Sequence, residues 1–249
     1  MTEGITHEIG SGFDRMNPDE FAGRKRVPAP KNNSTIDKWR RWLDRIRDDL
    51  HDIHGNQAAF HEINSMLTKP AIPGSAIIDY IAGNYARSQA IAVRRQTDVD
   101  GRSITLGRLL TELKATDLIT REWVVGQFPW GMQGMGDEQF DTWAYLDPEH
   151  PAADEPGDAL SPAVVERDIE RLALSANPIR RYVDTHLAHA DAKPTKDIPT
   201  FADLADAINV VGDVFNRYHT LLTGTSILQL APVPQYDWLA PFRVPWLTD

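Results

Sequence analysis

The 249-residue chain contains no cysteine, which excludes disulfides, thiol nucleophiles and thiolate metal sites. It has no apolar run near the roughly 18 residues that a membrane span requires. Its polar start, MTEGITHEIGSG, has none of the character of a secretory signal. A cytoplasmic protein without membrane contact is expected. Positive charge is also scarce: 26 Lys and Arg against 36 Asp and Glu leave a net charge of -10. Bulk attraction to nucleic acid or anionic lipid is therefore excluded, and any phosphate contact must be local. Two catalytic signatures are missing as well. There is no Gly-x-Ser-x-Gly elbow, and Gly131-Met-Gln-Gly-Met-Gly136 lacks the lysine and helix context of a phosphate loop.

What the chain does have is helical periodicity. Its length suits one large domain or two small ones. Ser34 with Asp37 reads as a helix start. Ile36, Trp39, Leu43, Ile46, Leu50 and Ile53 follow at alternating three- and four-residue steps, which puts six large apolar side chains on one stripe. Gly55 is expected to interrupt this helix, with Phe60, Ile63 and Leu67 continuing it to a break at Pro70–Pro73. A second helix is expected over 75–97 with Ile77, Ile78, Ile81, Tyr85 and Ala92 inward. A third, capped by Ser103, turns Leu106, Leu109, Leu110 and Leu113 inward. Ser161-Pro162 is a further start, because proline suits the first helical position; Val164, Val165, Ile169 and Leu172 form its apolar face. Asn177-Pro178 repeats the signal and marks a new helix or a kinked continuation. Thr200 with Asp203 caps the last helix, whose stripe is Leu204, Ile208, Val211, Phe215, Tyr218 and Leu222. The pattern predicts an all-α helical bundle of about five to six helices. It would be a single domain over 34–249 behind an irregular arm, 1–33.

Three stretches depart from this pattern. Arg24, Lys25, Arg26 and Lys31 lead into Lys38, Arg40, Arg41, Arg45 and Arg47, which reads as a solvated basic face or a local contact with an anionic partner. Residues 123–160 mix tryptophan, glycine and acids, which predicts a long loop insertion with a short strand at Trp123–Val125. Residues 225–249, with Pro232, Pro234, Trp238, Pro241, Pro245 and Trp246, predict an extended tail laid over the helices.

Chemistry concentrates in Asn177–Asp191, NPIRRYVDTHLAHAD. On an α-helix Tyr182, His186 and His189 share a face. Arg181 lies about 80° from His189 and about 140° from His186. Histidine moves protons near neutral pH, and arginine grips phosphate oxygens as a fork and stabilises charge building on them. Together they suit phosphodiester cleavage without a metal when an RNA 2′-hydroxyl is the nucleophile. Arg94, Arg95 and Asp98 close the second helix, either lining a phosphate-binding cleft or forming an ion-pair network.

Arg181-x4-His186 fits the Arg-x4–6-His signature of HEPN domains. Asp184-Thr-His-Leu-Ala-His-Ala-Asp191 resembles the Ala-His-x-Asp ending of the motif helix in the abortive-infection AbiU-like branch. Arg94-Arg95-x2-Asp98 followed by Ser103-Ile-Thr-Leu106 and Leu109-Leu110 is similar to that branch. So is Leu221-Leu-Thr-Gly224 followed by Asp237-Trp238 and Pro245-Trp246. The resemblance spans about 35–249. It implies an all-α homodimer in which arginine–histidine pairs of two protomers meet in one cleft, metal-independent endoribonuclease activity without a cofactor, and a role in prokaryotic defence or toxin–antitoxin systems. It assigns Arg181, His186 and His189 as catalytic, Arg94, Arg95, Arg180 and Tyr182 as RNA- or phosphate-binding, and Asp98, Asp184 and Asp191 as supporting. If His189 is the motif histidine, the signature needs arginine at 182–184, where Tyr182, Val183 and Asp184 stand. An inactive relative that binds RNA, an antitoxin or another protein through the same groove is the alternative. A third reading joins His51, His54, His61 and Glu62 to the 186/189 pair as a metal site, although one helix offers only two good ligands.

Overall fold

The computed structural model describes residues 33–67, 76–128, 131–144, 157–187 and 198–240. Among them are seven α-helices and no strand: α1 (Asn33–Leu67), α2 (Ala76–Gln96), α3 (Leu106–Lys114), α4 (Arg121–Val125), α5 (Gln133–Ala144), α6 (Pro162–Tyr182) and α7 (Phe201–Thr223), with a π-helical turn, Val183–Leu187, ending α6. The expected all-α bundle is what the chain forms. The arm expected over 1–33 lies outside the described residues apart from Asn33, as do the Pro70–Pro73 break and the tail beyond Ala240.

The stripe of α1 drives its burial. Ile36, Trp39, Leu43, Ile46, Leu50 and Ile53 are each 2% exposed or less. Polar bonds fix which neighbours it meets. The Trp39 indole donates to Glu112 of α3 at 2.8 Å. Arg40 donates to the Leu222 carbonyl of α7 at 2.9 Å. Gln89 of α2 donates to the Ile53 carbonyl at 2.9 Å. Gly55 does not break the helix. The space beside it is filled by the ring of Pro232, which a Cβ at Gly55 would approach to 3.1 Å. The glycine admits the tail, whose Ile227 and Leu230 also rest on the core. Of the basic run's described residues, Lys38 pairs with Glu112, Arg45 with Asp49 and Arg47 with Asp44.

α7 is the central element, packed against α6, α2 and α5, and its predicted stripe is fully buried. Its ends follow the sequence. Thr200 and Asp203 form a reciprocal capping box, and Gly224 closes the helix at φ 70°, a left-handed conformation that suits glycine. The inward face of α2 differs in part from expectation: Tyr85 and Ala92 pack against the core as expected. Ile77 is 53% exposed, whereas Gln89, Ala90, Val93 and Gln96 are buried. Apolar periodicity missed this because two glutamines carry the contact. Gln96 donates to Asp49 at 2.8 Å and accepts from the Leu106 amide at 3.2 Å. That bond sets α3 against α2, and Thr105, rather than Ser103, is the cap.

The expected loop over 123–160 holds α4 and α5, and Trp123–Val125 is helical. The extended element is an isolated antiparallel bridge, Thr120 to Ala159. Glycine suggested irregular chain, but Gly136 is a helix contact point: a Cβ there would meet Val125 Cα at 2.9 Å. Phe140 and Ala144 of α5 are completely buried.

Gly107 is a similar contact. A Cβ would lie 2.9 Å from the Asp98 carbonyl oxygen and 3.0 Å from that of Thr97. Alanine gains about 1 kcal/mol of helix propensity, but overpacking against backbone costs about 1–3 kcal/mol. Gly107→Ala is expected to destabilise the fold, seen as a lower urea midpoint with an unchanged slope. A raised midpoint contradicts this packing.

Candidate functional site

The motif helix begins at Ser161-Pro162 as expected and runs through Asn177-Pro178 without restarting, since Pro178 lies inside α6. Immediately after Tyr182 the chain widens into the π-helical turn Val183–Leu187. Such single turns are often found at functional sites. A turn closed by i→i+5 bonds rotates each residue by roughly 80° instead of about 100°. The separation of Arg181 and His186 therefore shrinks from about 140° to roughly 70° around the axis. The poor same-face pairing expected of an α-helix is relieved by the backbone itself.

His186 is held on two sides. Its ring stacks on Tyr182 with centroids 5.1 Å apart and planes 26° from parallel. The Thr185 hydroxyl donates to the Arg181 carbonyl at 2.7 Å and lies 2.8 Å from His186 Nδ1. A hydroxyl has one proton, so at the second contact the imidazole donates. With the hydroxyl proton on the Arg181 carbonyl, neutral His186 carries its own proton on Nδ1. Its Nε2 keeps a free lone pair, which is what a general base needs.

The neighbouring arginines divide. Arg94 of α2 donates Nε to Asp184 Oδ1 at 2.7 Å, joining α2 to the π turn. Arg95 points the other way and pairs with Asp49 of α1 at 3.1 Å. Asp98 takes part in a turn, accepting from the Asp100 amide at 3.1 Å. It lines a cavity of about 230 Å³ shared with Arg180. The ion pairs of Arg94 and Arg95 thus go to Asp184 and Asp49 instead of Asp98. Arg181 is exposed. His189 and Asp191 lie outside the described residues.

Among the described residues no three His, Asp or Glu side chains converge as a metal site. His54 turns into the fold, where its Nε2 would stand 2.9 Å from a Cβ at Gly212 of α7, with Leu230 of the tail beside it. That nitrogen is buried without a partner. Burial pushes the His54 imidazole below its ordinary value, against Asp213, which raises it, and with His51, which lowers it further. His219 is lowered in the same way by burial, partly offset by its bond to the Thr225 carbonyl. The unfolded chain binds protons near pH 6.5 at these positions, and the folded chain does so only at lower pH. Their contribution to stability is present above that value and is lost as pH falls below it. The urea midpoint is expected to drop between about pH 7.5 and pH 5.5, and less steeply in His54→Leu. An equal drop in both proteins contradicts the assignment to His54.

Sequence reasoning missed a cavity of about 410 Å³ beside the motif, walled by Ala86 and Ala90 of α2, Ile179 and Tyr182 of α6, and Ile198 and Phe201 leading into α7. Its walls come from three distant segments, so no spacing in the chain announces it.

No described helix is long and apolar enough to cross a membrane. Residues 36–237 match the family model HEPN_AbiU2, described as AbiU2. No curated protein and no solved structure matches the chain.

Proposed function

This chain belongs to the AbiU2 family of HEPN domains, and on that footing we propose that it is a metal-independent endoribonuclease. The observation that carries the reading is His186 held between the Thr185 hydroxyl and the Tyr182 ring on a widened turn that follows Arg181 by two residues. Nε2 of His186 removes the proton of an RNA 2′-hydroxyl. The freed oxygen attacks the adjacent phosphorus and the bond to the 5′-oxygen breaks. Arg181 holds the non-bridging oxygens as negative charge builds on them. A protonated imidazole, His189 or the motif histidine of a second copy, gives the leaving 5′-oxygen its proton. The products are a 2′,3′-cyclic phosphate and a 5′-hydroxyl.

A homodimer supplies the second motif in this reading. Arg94, Arg180 and Tyr182 contact the RNA, Arg95 being turned to Asp49 of α1, and Asp98, Asp184 and Asp191 support them. The setting is a defence or toxin–antitoxin system, with an antitoxin or other protein restraining the activity. A catalytically silent RNA- or protein-binding role is the second reading. The Arg94–Asp184 pair favours it, because a carboxylate already occupies that guanidinium.

The test is incubation of the purified protein with RNA in EDTA. Cleavage to cyclic phosphate ends is expected, with loss of activity when Arg181, His186 and His189 are replaced together. Intact RNA, or cleavage that survives the triple replacement, overturns the proposal. Stable RNA binding without turnover supports the second reading.

A further inference from the structure

The cavity beside the motif has a floor of small residues and aromatic walls. Ala86 and Ala90 lie one α2 turn apart, and Arg94 lies one turn further along the same face. The floor therefore leads from the cavity to the guanidinium that meets the π turn. On one wall stands Tyr182, which also stacks on His186. On another stands Phe201, whose ring is backed by Phe60 at 5.3 Å and Tyr85 at 6.1 Å. Phe60 and Tyr85 are themselves stacked at 4.0 Å and within 4° of parallel. At the mouth, Ile198 is 65% and Phe201 49% exposed, so apolar surface is left open to solvent.

This is a slot for something flat and apolar that carries a negative charge at one end. A wholly apolar ligand would make no use of Arg94, one turn beyond the floor. A phosphate alone would make no use of the aromatic walls. An unpaired nucleobase with its phosphate uses both: bases stack on aromatic side chains, and RNA is recognised through bases splayed out of the strand. The volume of about 410 Å³ has room for a purine. Thr200, the polar side chain on that rim, is committed to the capping box with Asp203. Recognition there rests on stacking and shape more than on the hydrogen-bonding edge of the base.

We propose that this cavity is a nucleobase subsite: one unpaired base of the RNA enters between Tyr182 and Phe201, and its backbone phosphate lies toward Arg94 and His186. The proposal rests on the ribonuclease reading for the identity of its ligand. It adds a positioning element for the scissile phosphate and a purine preference at the cut, because a larger ring stacks over more area.

The experiment uses the full-length protein and two variants, Ala86→Leu, which fills the floor, and Phe201→Leu, which removes a wall. Each is first shown to keep the parent melting temperature within a few degrees. RNA cleavage is followed for kcat, KM and the base at the cut. Binding of AMP and UMP is measured separately by ligand-detected NMR. The expected result is AMP bound in preference to UMP, and AMP binding weakened about tenfold or more in the variants. KM should rise by a similar factor with a smaller change in kcat, and the cut-site preference should flatten. If one variant fails to fold, the other carries the test. RNA cleavage with unchanged KM and cut-site preference in a folded variant overturns the subsite and leaves the ribonuclease standing. A parent protein that cuts no RNA but binds AMP, with binding lost in the variants, overturns the ribonuclease and leaves the base site. Neither cleavage nor AMP binding overturns both.

Discussion

His186→Ala is expected to slow RNA cleavage by about 10²–10⁴-fold, the range for losing a general acid or base. Its melting temperature should stay near that of the parent, since His186 is half-buried and its contacts are local to one turn. Arg181→Ala should lose a comparable factor, about 10²–10³. Arg181→Lys should recover little of it, because a point charge does not replace the planar fork. The pH profile separates chemistry from mere structure. Thr185→Val removes the acceptor that fixes the Nδ1–H tautomer. It is expected to lower kcat and shift the acidic limb of the profile, where a general base loses its proton, while leaving RNA affinity unchanged. Single-turnover rates across pH 5 to 9 measure all four variants. Parent-like rates in His186→Ala would remove this histidine from the reaction.

The second large effect concerns a polar cluster deep between α6 and α7. Arg217 donates to Asp168 at 3.0 Å, and the Tyr218 hydroxyl donates to the same oxygen at 2.8 Å. All three residues are buried. Burial, with Asp168 beside it, holds the Tyr218 phenol well above its ordinary value, so it stays a donor. Breaking a buried pair by removing one partner costs about 3–5 kcal/mol, against a whole-protein stability of about 5–15 kcal/mol. Asp168→Ala is therefore expected to lower the melting temperature by on the order of 10 °C. Asp168→Asn, which keeps hydrogen-bonding oxygen and loses the charge, should fall between it and the parent. Calorimetry checks the order. Equal melting temperatures for the parent and Asp168→Ala would show that the cluster adds nothing to stability.

The same cluster shows where reading the chain stops. Tyr218 stands in the apolar stripe of α7 and was expected inward on that ground. Nothing in the spacing says that a carboxylate 50 residues earlier meets its hydroxyl. Asp168 looks like one more member of an acidic run, yet it faces the core.

Periodicity succeeds where one face of a helix meets apolar neighbours. The α1 stripe, the four leucines of α3 and the α7 stripe all lie buried as their spacing requires. It fails where a glycine marks a close approach, as at Gly55 and Gly136, because the same residue permits a break and a contact. It fails again at α2, where buried glutamines satisfy backbone and side-chain partners on α1 and α3.

By itself the sequence determined the helical class, the family and the segment that carries arginine and histidine, because local spacing and residue chemistry are written along one chain. Tertiary structure alone decided the different partners of Arg94 and Arg95 and the aromatic slot. Each of these depends on which distant backbone or side chain fills the adjoining space, and packing settles that only when all the helices are in place.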